Sequence, residues 1–368
     1  MSIREQLALL QTTRPRGPFP SLAWAWPGGE RDLLLRAAIL SDLAEAAAAY
    51  RHWETDYNFD DVDFAKQRLL VAISHRIPRD LLRAKDQARL AGIERQLWTK
   101  CVMSLRSTQP ALAALEAAGI EVMVFKGAVR TVLDVANLRG RYASELDLLV
   151  RPETFVAAWR AIRSAGWQYV LGFEPRLDRL MGANLSKPNS GELDLHKYPY
   201  HQLLPVDLKP DALWARATRT TFLGHPVAIP SPTDRLLMAI AHGGIDGHVQ
   251  SDWLVDCAIV IAGGEVDWPL FVAMARERRI EAAAAITLSY LAGPLQVAVP
   301  KRVLGELTSG LRGHPFQLVS GLLLARPKRE HSPLSAVGRG VARAIRMAKK
   351  ARMIARLDDL QRRTAGQR

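Results

Sequence analysis

The chain has 368 residues, 48% of them hydrophobic, and a formal net charge of +13 at pH 7. No stretch offers the roughly 18 uninterrupted apolar residues of a membrane-spanning helix, so we expect no membrane span. The only cysteines are Cys101 and Cys257, which excludes a disulfide-rich scaffold and a cysteine-rich zinc site. The low cysteine content, and a start without a basic head and long apolar core, favour a cytoplasmic protein.

The positive charge is concentrated at the end of the chain. Residues 326–368 contain 13 Lys and Arg against 3 Asp and Glu, and their pattern predicts a basic, partly amphipathic helix. Such a helix attracts polyanions, so we expect an anionic partner there. An arginine-rich surface without a specific partner is the alternative. In both cases the net charge says little about the central part of the chain.

Taken in order, the sequence predicts four parts. Residues 1–118 form an N-terminal helical subdomain, which includes one helix over residues 30–51. Residues 119–230 alternate strand and helix and then add strands, which is typical of a small mixed sheet. Residues 231–325 form a C-terminal helical subdomain, and residues 326–368 form the basic helical tail. The predicted fold class is therefore α+β, with a small mixed β-sheet core flanked by helical subdomains.

The central part contains the segment with the clearest pattern. Residues 122–125 are apolar and predict a strand, which Lys126-Gly127 turns into a helix. Residues 146–150 predict a second strand, and Glu192–His196 predicts a later one.

Three carboxylates lie on these strands. Glu145 and Asp147 are two residues apart at the start of one strand, so their side chains point to the same side. Asp194 lies on the later strand. Two acids from one strand and one from a neighbour can hold two Mg²⁺ ions, which would orient a phosphate and an attacking hydroxyl. Acids that are merely solvated at a strand edge are the alternative.

Basic residues surround the acidic strand. A strand that ends in a glycine turn and opens a helix presents backbone N–H groups to an anion, as Gly127 would, and Lys126 adds a charge for a phosphate. Arg139 and Arg141 could clamp a triphosphate bidentately. The alternatives are an ordinary turn and surface ion pairs. Neither a P-loop nor a GxGxxG dinucleotide motif is present at this turn.

Two histidines complete the candidate set. His196 follows Asp194 by two residues and shares its face, so it could position a phosphate or a hydroxyl; a purely structural histidine is the alternative. His242 is a candidate contact of the nucleotide. It lies before Asp252, Trp253 and Asp256, where the spacing does not match a second metal site and packing and capping are the favoured roles.

Together these segments resemble a known family, the uncharacterised bacterial nucleotidyltransferase-like family of the polymerase-β superfamily. The resemblance covers roughly residues 20–300. It is carried by VFKGA (124–128), Arg141, SELDLLV (144–150), LDLH (193–196), His242 and WLVD (253–256).

The resemblance implies specific roles. Gly127 would open the phosphate site, and Lys126 and Arg141 would contact the nucleotide phosphates. Glu145 and Asp147 would be paired metal ligands and Asp194 the third. Two positions depart from the superfamily pattern, because Ala128 stands where serine is usual and Glu145 stands where aspartate is usual.

We therefore expect a magnesium-dependent nucleotidyltransferase that uses two Mg²⁺ ions and a nucleoside triphosphate, with ATP as the expected nucleotide. It would transfer a nucleoside monophosphate to a hydroxyl of an unassigned small-molecule, peptide or protein acceptor, and the resemblance points to natural-product biosynthesis. One alternative, motivated by Glu145, is a catalytically impaired accessory protein that kept the fold. Another, motivated by the basic tail, is an RNA-modifying nucleotidyltransferase.

Overall fold

The computed structural model describes most of the chain between residues 21 and 325. The described residues are 21–133, 140–143, 145–172, 175–178, 180–200, 211–245, 251–312 and 314–325, with 340, 343, 344, 347, 348, 351 and 355. Arg139, a predicted phosphate contact, therefore lies outside the described residues. Almost all of the predicted basic tail helix lies outside them as well.

Helices make up most of the described chain. In order they are α1 (Glu30–Ile39), α2 (Leu43–Asp56), α3 (Phe64–Arg76), α4 (Ala84–Ser107), α5 (Gln109–Ala117), α6 (Val129–Leu133), α7 (Phe155–Ser164), α8 (Asp211–Arg216), α9 (Pro232–Ala239), α10 (Asp252–Ala262), α11 (Trp268–Glu277), α12 (Glu281–Ala292), α13 (Lys301–Arg312) and α14 (Pro315–Ala325). A π-helical turn, Ile240–Gly244, follows α9 directly.

The described strands form a seven-stranded mixed sheet. They are β1 (Val122–Val124), β2 (Glu145–Val150), β3 (Gln168–Tyr169), β4 (Gly182–Ser186), β5 (Glu192–His196), β6 (Thr218–Phe222) and β7 (His225–Ile229). Their order across the sheet is β3-β4-β5-β2-β1-β7-β6. The β2–β5 and β1–β7 pairs are parallel, and the other neighbours are antiparallel. The predicted α+β class with a mixed sheet and flanking helices is confirmed.

The chain divides into two compact units, each made of two chain segments. The helical unit comprises Met1–Leu97 and Pro232–Ala344, and the sheet unit comprises Trp98–Ser231 and Ile345–Arg368. The helical unit is built around α12, whose residues are nearly all buried, as expected for a helix that is apolar on every side. The predicted four-part division stays a prediction.

The neighbouring strands β2 and β5 carry acids among buried leucines. In β2, Leu146, Leu148 and Leu149 are fully buried, so the strand is covered on both faces. In β5, Leu193 and Leu195 are buried, whereas Asp194 and His196 are half-buried and Glu192 is exposed. This alternation places the polar side chains of β5 on one face and its leucines on the other, which faces the core.

The structure differs from the sequence prediction at several elements. The single helix predicted over residues 30–51 is wrong, because the chain breaks at Leu40 and restarts at α2. Asp42 caps that restart by accepting hydrogen bonds from the N–H groups of Ala44 and Glu45, at 2.8 and 3.0 Å. Strand β4 was also not predicted from the sequence. Among the described residues, no helix is both long and apolar enough to cross a membrane.

Gly191 directly precedes β5 and contacts the end of α4. A Cβ atom there would lie 2.1 Å from Ser104 Oγ and 2.6 Å from the Ser104 carbonyl oxygen. The Gly191 N–H donates to Ser107 Oγ at 2.6 Å. The end of α4 therefore holds the strand that carries Asp194 and His196.

We predict that Gly191→Ala lowers the free energy of unfolding by about 1–3 kcal/mol, because the new methyl group has no room beside Ser104. Urea unfolding followed by circular dichroism measures the change. Gly92→Ala is the matched control, because a Cβ at Gly92 has no neighbour within 4 Å. The control should keep or slightly raise stability, since alanine favours a helix over glycine. Equal stability of the two variants would contradict the assigned contact.

Candidate active site

The turn after β1 places a lysine in an unfavourable backbone conformation. Lys126 has a φ of 55°, which costs a residue with a side chain about 1–2 kcal/mol. It begins a short 3-10 turn, Lys126–Ala128, that leads into α6. Its side chain is only 17% exposed. Such strain persists where the surrounding structure fixes the residue, and in this chain the side chain ends among carboxylates.

Two aspartates face each other at the centre of the sheet. Asp147 on β2 and Asp194 on β5 are register partners of the parallel pair. Lys126 Nζ lies 2.6 Å from Asp147 Oδ1 and 3.6 Å from Asp194 Oδ2. Asp147 is 2% exposed, so solvent screens the attraction between these charges only weakly. The ammonium group is therefore a buried counter-ion shared by both carboxylates.

His196 closes the cluster from the end of β5. Its Nε2 lies 2.7 Å from Asp194 Oδ2 and 3.3 Å from Asp147 Oδ1. The Phe125 ring packs against the imidazole edge-to-face, with ring centroids 4.9 Å apart. On the antiparallel neighbour β4, a Cβ at Gly182 would lie 3.0 Å from His196 Nδ1. The glycine thus leaves space for the imidazole ring.

The charges in the cluster shift one another's pKa values. Burial would raise the pKa of Asp147, but Lys126 and His196 outweigh burial and bring it down to about 2. Burial would also raise the pKa of Asp194, but hydrogen bonding to His196 outweighs burial and lowers it. Burial alone would lower the pKa of Lys126, and Asp147 and Asp194 reverse that shift into a raised pKa. Both aspartates are consequently ionised at neutral pH and Lys126 is charged.

Glu145 behaves differently from the two aspartates. Burial, followed by the negative charge of Asp147, raises the pKa of Glu145 to about 7. Its register partner on β5 is another acid, Glu192. Glu145 therefore loses its proton in the neutral range, where the aspartates are already ionised.

Gly127 and Arg141 form a close contact beside the cluster. A Cβ at Gly127 would lie 2.9 Å from Arg141 Nη2. The Arg141 side chain is buried, and its Nη1 donates to the Tyr142 carbonyl oxygen at 2.6 Å. A side chain at position 127 would therefore require the guanidinium group to shift.

The cluster offers ligands that suit a divalent cation. One donor atom each from Asp147, Asp194 and His196 lies within 4.8 Å of the others. Two carboxylates suit Mg²⁺ or Mn²⁺, and the imidazole nitrogen adds affinity for Mn²⁺ and later transition metals. The residues therefore fit a divalent cation, provided that the Lys126 ammonium group moves away from the carboxylates.

The structure brings together most of the residues selected from sequence. The sheet unit holds Lys126, Gly127, Arg141, Glu145, Asp147, Asp194 and His196 around the β2–β5 pair. His242 belongs to the helical unit and lies in its π-helical turn, so its predicted role in nucleotide binding stays a prediction.

The downstream residues near His242 have structural contacts. Asp252 is 3% exposed and pairs with Arg68, whose Nη2 lies 2.7 Å from Asp252 Oδ2. Trp253 packs against Gly243, where a Cβ would lie 2.2 Å from the indole. These contacts agree with the packing role that the sequence favoured for this group over a second metal site.

Sequence reasoning missed two positioning residues, Gly182 and Phe125. A glycine inside a strand is a known sign that another group approaches the backbone closely. That sign could have identified Gly182 only if β4 had been predicted. Phe125 was assigned to the first strand, and its contact with His196 depends on the sheet order.

We predict that Glu145→Gln raises stability at pH 8 by about 1–3 kcal/mol and has a clearly smaller effect near pH 5. The folded pKa of Glu145, about 7, exceeds the ordinary value of 4.5. The stability that protonated Glu145 contributes is complete below pH 4.5 and is lost as the pH rises through about 7. Glutamine cannot ionise, so it avoids this loss.

Chemical unfolding at pH 5, 6, 7 and 8 measures the difference. The exposed Glu153, just before α7, provides the control Glu153→Gln. A benefit of Glu145→Gln that does not grow between pH 5 and pH 8 would contradict the assignment.

Comparison with known proteins supports a family assignment. The model of a family described as an uncharacterised nucleotidyltransferase matches residues 66–296, more than half of the chain. The crystal structure of an antigenic nucleotidyltransferase-like protein from Paracoccidioides brasiliensis aligns with 61% of this chain and 94% of its own, at 16% identity and a TM-score of 0.31. That score is too low to support any argument. No curated protein matches the chain. On the family match, the chain belongs to this uncharacterised nucleotidyltransferase family.

Proposed function

We propose that the protein is a metal-dependent nucleotidyltransferase of the polymerase-β superfamily, with Mg²⁺ and ATP as the expected cofactor and nucleotide. It would transfer a nucleoside monophosphate to a hydroxyl of a small-molecule, peptide or protein acceptor. The observation that carries the proposal is the cluster of Asp147, Asp194 and His196 directly behind the Lys126-Gly127 turn. Membership of the nucleotidyltransferase family supports the reaction type.

The aspartates are the metal ligands in this proposal. Asp147 and Asp194 are ionised well below neutral pH, so neither has to lose a proton before it binds a cation. Glu145 becomes a third ligand once it has lost its proton, near pH 7. When bound, the divalent cation polarises the phosphate and neutralises the charge that develops during transfer.

The remaining residues bind and orient the nucleotide. Lys126 provides an ammonium group, and the turn at Gly127 provides backbone N–H groups, at the edge of the same cluster. Arg141 adds positive charge beside this turn. His196 holds the Asp194 carboxylate at 2.7 Å and fixes its direction.

A catalytically impaired accessory protein is the second candidate. It is favoured by the position of Lys126, which neutralises the carboxylates without a metal ion. Glu145 in place of the usual aspartate points the same way. Glu145→Asp distinguishes the two, because an enzyme that uses this ligand should change its rate of nucleotide turnover and an accessory protein should not.

Four expectations rest on sequence alone and stay predictions. An anionic partner of the tail, and the RNA-modifying function that the tail suggests, depend on residues 326–368. The cytoplasmic location depends on the low cysteine content, and both cysteines are buried thiols. A role in natural-product biosynthesis depends on the resemblance.

We predict that Asp147→Asn weakens Mg²⁺-dependent binding of α,β-methylene-ATP by about 10- to 100-fold, the scale on which loss of a charged contact acts. Without Mg²⁺ the variant should bind the analogue no worse than wild type, because one negative charge near the phosphates has gone. Isothermal titration calorimetry with and without Mg²⁺ measures both effects.

Asp211→Asn is the matched control for this experiment. Asp211 also lies in the sheet unit and pairs with an arginine, Arg151, at 3.1 Å, but its side chain is 78% exposed. Its variant should bind the analogue like wild type. If Asp147→Asn and wild type responded to Mg²⁺ equally, the metal-site assignment would be wrong.

A further inference from the structure

The ammonium group of Lys126 lies where the donor atoms of the candidate metal site converge. Lys126 Nζ is 2.6 Å from Asp147 Oδ1, 3.1 Å from His196 Nε2 and 3.6 Å from Asp194 Oδ2. These three residues are also the ones whose donor atoms could share a cation. The lysine and a metal ion would therefore compete for the same oxygens.

Several features hold the ammonium group in this place. The left-handed backbone of Lys126 orients the residue at the turn despite its conformational cost. The Phe125 ring lies beneath the ammonium, with Nζ 5.2 Å from its centroid. The side chain is only 17% exposed, so water cannot readily replace its ionic contacts. The lysine is thus a fixed part of the cluster.

The contacts around His196 show that the cluster is crowded in this state. Nε2 lies 2.7 Å from Asp194 Oδ2, which suits a donated N–H, and the same nitrogen lies 3.1 Å from Lys126 Nζ. Nε2 cannot both donate to Asp194 and accept from Lys126, because one nitrogen carries either a proton or a lone pair. Withdrawal of Lys126 would relieve this conflict and remove the ammonium group from Asp147 Oδ1.

We propose that Lys126 blocks the site to free divalent cations, and that the cation enters together with a triphosphate that draws the ammonium group onto its own oxygens. This inference rests on the proposed function, because it takes the aspartates as ligands and a triphosphate as substrate. A phosphate oxygen offers the lysine a charged partner equivalent to the carboxylate it leaves. Cation and triphosphate therefore raise each other's affinity by the same factor.

The consequence is that the divalent cation binds selectively to the protein that already holds the nucleotide. Without nucleotide, a free cation must displace a buried ammonium that gains no new partner. With nucleotide, the same displacement exchanges one ionic contact for another. The protein would thus remain free of metal until substrate arrives.

We expect Lys126→Met to bind Mn²⁺ about 10- to 100-fold more tightly than wild type in the absence of nucleotide. The electron paramagnetic resonance signal of free hydrated Mn²⁺ measures the affinity and needs no activity. Where the analogue is present, the Mn²⁺ that it binds in solution is subtracted with a protein-free titration. Addition of α,β-methylene-ATP should tighten Mn²⁺ binding to wild type at least 10-fold and tighten binding to the variant much less. Lys126→Arg, which keeps the charge, should behave like wild type.

Lys100→Met is the matched control, because Lys100 is an exposed lysine of the same unit. It should leave Mn²⁺ binding unchanged with and without the analogue. Should Lys126→Met fold poorly, Lys126→Gln keeps an N–H donor for Asp147 while removing the charge. The mutual effect of Mn²⁺ and analogue in wild type tests the coupling without any variant.

The outcomes separate this inference from the proposed function. If wild type binds Mn²⁺ together with the analogue but neither neutral variant gains affinity for Mn²⁺ alone, the blocking role of Lys126 is overturned and the proposed function stands. If the neutral variants gain affinity but the analogue has no effect on any protein, the proposed function is overturned and Lys126 still occupies the cation site. Absence of Mn²⁺ binding in every protein and condition overturns both.

Discussion

The sheet unit depends on one electrostatic constraint, which is that two buried carboxylates on adjacent strands need a cation between them. Asp147 and Asp194 are register partners of a parallel pair, and two like charges at this depth repel strongly unless they are compensated. Lys126 and His196 provide the compensation, at 2.6 and 2.7 Å. The left-handed turn at Lys126 and the missing side chain at Gly182 both serve this arrangement.

The same constraint connects structure to function. With Lys126 Nζ 2.6 Å from Asp147 and 3.6 Å from Asp194, an ammonium group of the chain itself compensates both carboxylates. A lysine on a strand-to-helix turn, however, can exchange its carboxylate partner for a phosphate that binds at that turn. Glu145, which ionises near pH 7, adds a charge to the site in the range where an enzyme works. In the proposed function, the residues that compensate the buried carboxylates would also control the entry of the metal ion with the substrate.

Much of this site could be predicted from the sequence. The two-residue spacing of Glu145 and Asp147 fixes their common face, because side chains alternate along a strand. The same rule places His196 beside Asp194. The acid-rich strands and the Lys126-Gly127 turn also carried the family resemblance that the family match supports. These features are local, so they can be read from neighbouring residues.

The parts that escaped prediction depend on contacts between distant segments. The direction of Lys126 was one, since the sequence suggested a phosphate contact and the structure shows an ionic contact with Asp147. Gly182 was another, because its importance follows from the pairing of β4 with β5. The two compact units were a third, because each joins segments far apart in the chain. Periodicity carries no information about such pairings.

The most direct test of the account is a crystal structure of the wild-type protein grown with Mn²⁺ and α,β-methylene-ATP, with the anomalous signal of manganese recorded. The account predicts a manganese peak bound by the carboxylates of Asp147 and Asp194, with Lys126 Nζ moved from Asp147 to a phosphate oxygen. A bound triphosphate with no manganese at the aspartates, and Lys126 still paired with Asp147, would contradict it.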